Sequence, residues 1–122
     1  MRYAPQEKRT FFVTSVAHFR DPLFRKDDRA RLLVDVLYEN RKLGRFQLHE
    51  FVLMRDHFQL ILTPAPDKSL ERALQYIKGG YSFRVKRGLA YKGLPWEQGF
   101  TNHRIRDFDD YQHHRDTSIR TR

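Results

Sequence analysis

The sequence predicts an α+β fold: an antiparallel sheet in the order β-α-β-β-α-β, helices on one face, and a short C-terminal helix. Three observations predict it. Leu32, Leu33, Val36 and Leu37, then Leu70, Leu74 and Ile77, recur at the spacing of a helix face. Between and around them lie runs rich in β-branched and aromatic residues, which favour strands. Taken in order, these segments form a split βαβ unit of the ferredoxin-like kind, with one sheet face left open.

Each element has a local reason. Residues 1–9 are polar and hold Pro5, which fits a short arm. Thr10 to Ala17 (TFFVTSVA) reads as the first strand, and His18 to Pro22 as a connection. Asp27 or Asp28 can start the first helix, which Asn40 to Gly44 stops. Arg45 to Met54 and His57 to Thr63 form a hairpin about Arg55-Asp56, and Pro64 and Pro66 end its second arm. Ser69 caps the second helix. Gly79-Gly80 is expected to interrupt that helix with a bend or a close backbone approach, since glycine costs ~1 kcal/mol against alanine inside a helix. Gly88 to Gly99 is a loop holding the one Trp, and Phe100 to Arg106 the last strand. Asp107 to Asp116 suits a short helix with acids in its first turn.

The 122 residues have the length of one domain, 1–122. The ten Phe, six Tyr and one Trp are too many for a disordered chain. Without cysteine, disulfides and thiolate metal sites are excluded. No secretory signal opens the chain and no apolar run nears the ~20 residues of a membrane span, so a cytoplasmic protein without a membrane partner is expected. Lys and Arg outnumber Asp and Glu by 24 to 15, a net charge of +9. Such a balance fits a polyanionic partner, since phosphate backbones bind cations and release counterions.

Two groups of residues carry candidate chemistry. On the strand His57 to Thr63 side chains alternate, so Phe58, Leu60 and Leu62 face the helices while His57, Gln59, Ile61 and Thr63 face away. An imidazole and an amide oxygen two residues apart on one face suit a divalent ion such as Mg or Mn, or are simply polar residues on a sheet surface. A two-residue turn sets Glu50 opposite Ile61, on the same face, as a third candidate ligand. The second group is Lys78, Arg84, Lys86, Arg87 and Lys92, interleaved with Tyr81, Phe83 and Tyr91. Cations track phosphates and aromatics stack on unpaired bases, although aromatics equally pack in cores. Arg104 and Arg106 alternate on one strand face, expected beside the His57–Gln59 pair.

Met54 to Leu62 (MRDHFQLIL) resembles the metal-motif strand of the HUH superfamily, usually His-hydrophobic-His. More specifically, the chain is similar to REP-associated tyrosine transposases and their insertion-sequence relatives. Arg9 to Thr14, Asp67 to Leu74 leading into Ile77 to Arg84, Leu94 to Phe100, Asn102 to Asp107 and Asp110-Tyr111 follow in the family's order.

The resemblance implies metal-assisted cleavage and joining of single-stranded DNA, often beside a hairpin, through a tyrosine that becomes linked to a 5′ phosphate. It implies Mg or Mn at His57 and Gln59, DNA contacts from Arg9 and the basic residues above, and a homodimer. Two departures stand out. Gln59 replaces the second His, and Thr117 stands where the nucleophilic Tyr is expected, shortly before the chain ends. Tyr111 is the nearest remaining phenol and the candidate nucleophile, but it lies about 9 Å away along a helix and on another face. The resemblance therefore leaves two expectations: a transposase that cuts, or a transposase-derived module that only binds DNA.

Overall fold

The computed structural model describes residues 9–105. Strand β1 (Thr10–Val16), helix α1 (Asp27–Lys42), strands β2 (Phe46–Met54) and β3 (His57–Pro64), helix α2 (Leu70–Gly88) and strand β4 (Thr101–Ile105) follow in the expected order. The strands make one antiparallel sheet, ordered β2-β3-β1-β4. The short helix expected at 107–116 lies outside the described residues.

Alternation along the strands decides which face meets the helices. Val13 of β1 and Phe58, Leu60 and Leu62 of β3 join Leu33, Val36 and Leu37 of α1 and Leu74, Ile77 and Val85 of α2 in one core. Burying each such side chain fully contributes roughly 1.5–3 kcal/mol. On β2 the core-facing residues change parity, from Leu53 and Phe51, opposite Phe58 and Leu60, to Leu48, opposite Leu62. A bulge between Leu48 and Glu50 makes the change, with His49 as the extra residue. It keeps Phe46, Leu48, Phe51 and Leu53 of β2 on the helix side, while Val52 and Met54 face away.

Helix α2 begins as expected, with the Ser69 hydroxyl accepting the Arg72 N–H at 3.0 Å. It does not bend at the glycine pair but runs unbroken to Gly88. Gly80 lies where a Cβ would stand 3.5 Å from Val36 Cγ1 of α1, whereas a Cβ on Gly79 would meet open space. A contact of that length is an ordinary one, so neither glycine is required for the two helices to approach.

The loop between α2 and β4 belongs to the core. Trp96 forms a bridge with Ala17 and packs its ring against Phe24, Phe58 and Tyr81, at centroid distances of 5.3–5.8 Å. Its indole N–H donates to the Lys78 carbonyl at 3.1 Å. Tyr81 is fully buried. No described helix is long and apolar enough to cross a membrane.

Candidate metal and nucleic-acid site

His57 and Gln59 lie on the sheet face away from α1 and α2, because Phe58 between them is in the core. The hairpin register is the one the two-residue turn predicts: Met54 opposite His57, Val52 opposite Gln59 and Glu50 opposite Ile61. The face is not bare, however. Gln59 is 9% exposed, Ile61 fully buried and Thr63 nearly so. At one end of the face the Thr63 hydroxyl bonds both Thr10 Oγ1 (2.6 Å) and His49 Nε2 (2.9 Å).

Asp56, read from sequence only as a turn residue, orients the imidazole. Its Oδ1 lies 2.8 Å from His57 Nδ1. The bond with His57 is the main reason the Asp56 carboxyl is held below its ordinary range; burial opposes this, and the Arg20 guanidinium at 3.4 Å adds to it. A carboxylate only accepts, so Nδ1 carries the proton and Nε2 is left as a donor atom for a metal. This is the arrangement of a carboxylate behind a ligating histidine.

Beside the pair runs a groove of about 390 Å³. Thr14 and Val16 of β1 form its floor, in register with Gln59 and His57. Arg20, Glu97, Phe100 and Thr101 form its walls.

The donor set fits a divalent ion in a restricted sense. Among the described residues no group of three or more His, Cys, Asp or Glu side chains converges on one point. One imidazole with its backing carboxylate, and one amide oxygen, suit an ion that keeps several waters and takes further ligands from substrate phosphates, as Mg does.

A family model described as "Transposase IS200 like" matches residues 8–107. The chain belongs to the IS200-like transposase family. A search of curated proteins gave no significant match. Among solved structures, this transposase-family chain is similar to a REP-associated tyrosine transposase bound to a REP hairpin, with 23% identity and a TM-score of 0.76. The match covers 99% of this chain and 70% of that one. It is also similar to a putative transposase from Deinococcus radiodurans R1, with 16% identity, a TM-score of 0.69 and coverage of 99% and 94%.

The basic residues of the IS200-like chain divide by environment. Lys86, Arg87 and Lys92 are exposed, and the Arg87 guanidinium sits 5.3 Å from the centre of the exposed Phe83 ring. Three other candidates are engaged within the fold. Lys78 donates to the carbonyls of Glu97 (3.1 Å) and Gly99 (2.6 Å), and burial pushes its ammonium below the usual lysine range. Arg84 pairs with Glu39 of α1. Arg9 donates to the carbonyls of Ala65 and Lys68.

Arg104 is not on the face expected of it. It is in register with Phe11, whose ring packs against the core, so it sits on the helix side of the sheet. His103, opposite Phe12, shares the face of His57, as do Thr101 and Ile105. Tyr81 is buried and unavailable to DNA, and the Tyr91 hydroxyl donates to Asp21 at 3.0 Å. Arg106 and Tyr111 lie outside the described residues. Sequence reasoning missed Asp56 and Arg20. The charged pair in the turn beside His57 was the available signal for Asp56, whereas nothing local indicated Arg20.

Proposed function

We propose that the chain is a transposase-like DNA-binding protein that takes single-stranded or hairpin DNA. The observation that carries this reading is the His57–Gln59 pair, backed by Asp56 and bordered by a groove, in a chain of the IS200-like transposase family. The net charge of +9 supports it, as does the REP hairpin held by a solved structure of the same fold. Lys86, Arg87 and Lys92 hold the phosphates, with Arg104 adding charge on β4 and Arg106 as a further contact. Lys78, Arg84 and Arg9 support the scaffold that positions them.

Cleavage would use Tyr111 as nucleophile and His57 and Gln59 as ligands. Mg or Mn, when bound, supplies Lewis-acid polarisation of the scissile phosphate. Asp56 keeps the His57 ring in one orientation and one tautomer. A second reading, binding without cutting, is favoured by Gln59 standing where the family has histidine. A homodimer is part of either reading, and sedimentation of the purified chain checks it.

The deciding experiment pairs a binding titration with an adduct assay on a hairpin oligonucleotide carrying a single-stranded flank. Binding should weaken steeply between roughly 50 and 200 mM salt. Binding that ignores salt, or fails altogether, removes DNA as the partner. With Mn²⁺ or Mg²⁺, little or no covalent adduct is expected on a denaturing gel. An adduct that Tyr111→Phe abolishes would establish cutting and eliminate the binding-only reading.

A further inference from the structure

Phe19 is 84% exposed and sits at φ 53°, in the left-handed region that a bulky side chain occupies only at a cost. Arg20 follows at φ 55°. The chain therefore bears two successive strained residues and an aromatic ring in water. Both are held in place. The Phe19 N–H donates to Glu97 Oε2 at 2.9 Å, the His18 N–H to the Pro95 carbonyl at 2.9 Å, and the rings of His18 and Phe19 lie 4.2 Å apart. Nothing among these contacts buries the Phe19 ring or repays its backbone conformation. Strain that the surroundings maintain without using it points to a role outside the fold.

Position suggests what that role is. Glu97, which fixes the Phe19 backbone, and Arg20, the next residue, both line the groove of about 390 Å³ whose floor is Thr14 and Val16. Phe19 is thus joined, through the chain and through its N–H, to two residues that wall a groove beside His57 and Gln59. The Arg20 side chain, which reaches Asp56 at 3.4 Å, is still 67% exposed there and supplies a cation.

We infer that Phe19 is a stacking platform for an unpaired base of a DNA strand lying in this groove, with Arg20 beside a neighbouring phosphate. Aromatic rings stack on any base and cations follow the backbone, so the pair selects single strands without selecting sequence. A duplex keeps its bases inside and gains nothing from the ring. The inference rests on the DNA-binding reading above and adds to it the residue that favours unpaired strands.

The test exploits the strain. Glycine adopts positive φ freely, so Phe19→Gly should leave the thermal midpoint unchanged or raise it. The same variant should bind a fluorescent single-stranded oligonucleotide about 5- to 150-fold more weakly, the range of one lost base–aromatic stack. Its affinity for the matching duplex should stay the same, and Phe19→Trp should retain single-strand affinity. Single-strand affinity within twofold of wild type in a folded Phe19→Gly would overturn the inference and leave DNA binding intact. So would equal losses on single strand and duplex, or a change only in the sedimentation of the free protein, which would make Phe19 a contact between copies. Wild-type protein that binds no DNA would overturn both readings.

Discussion

Asp56 Oδ1 and His57 Nδ1, 2.8 Å apart, belong to neighbouring residues of a tight hairpin, so the carboxylate and the ring it orients are fixed by one turn. Removing the carboxylate frees the ring to rotate. Asp56→Ala is expected to weaken Mn²⁺ binding to the DNA-free protein about 10- to 100-fold. Calorimetric titration of the two proteins checks this, and equal affinities would mean that Asp56 does not orient a ligand.

The same pair makes stability depend on pH in a defined direction. The folded Asp56 carboxyl lies below its ordinary value. Its stabilisation is therefore complete above about pH 4 and is lost as pH falls through the lower folded value. Thermal midpoints of wild type and Asp56→Asn should differ at pH 7 and converge in strong acid. A gap of constant size from pH 7 downward would show that the charge is not responsible.

The Tyr81 hydroxyl is buried without a hydrogen-bond partner among the described residues, and burial drives its ionisation far above the ordinary tyrosine value. An unsatisfied buried hydroxyl costs about 1–3 kcal/mol. Tyr81→Phe keeps the ring contacts with Phe24 and Trp96 and should raise stability by roughly 1 kcal/mol in denaturant unfolding. A clear loss of stability would indicate a partner for the hydroxyl.

The two glycines of α2 should respond differently to alanine. At Gly79 the added methyl meets open space, so Gly79→Ala is expected to stabilise by about 1 kcal/mol through helix propensity. At Gly80 the methyl also makes an ordinary van der Waals contact with Val36, 3.5 Å away, so the gain should be larger. Urea midpoints of the two variants make the comparison, and a loss of stability at Gly80 would contradict the packing described.

Lys86 and Arg87 are exposed at the end of α2 and form no ion pair among the described residues. If both meet phosphates of a single strand, replacing them with alanine should flatten the log–log salt dependence of binding by about 1.4, or roughly 0.7 per lost contact. An unchanged slope would place the strand elsewhere.

What was legible in the sequence was what depends on near neighbours. The face shared by His57 and Gln59 follows from a two-residue period, and the Glu50–Ile61 register from the length of a turn. The Ser69 cap was legible for the same reason. Features created by distant segments were not. Arg20 meets Asp56 across 36 residues, and Lys78 meets Gly99 across 21. The glycine pair read as a break because propensity is local, while the packing of Gly80 against Val36 is not. Arg104 was assigned to the wrong face because strand alternation gives two choices, and only its pairing with Phe11 selects one.

Lys78 and the segment after it are fastened twice, in opposite senses. The ammonium reaches forward to the carbonyls of Glu97 and Gly99, while the Trp96 indole reaches back to the Lys78 carbonyl. A pull on Gly99 is therefore carried by a nineteen-residue helix rather than by a loose connection. One wall of the groove has, in mechanical terms, the stiffness of α2.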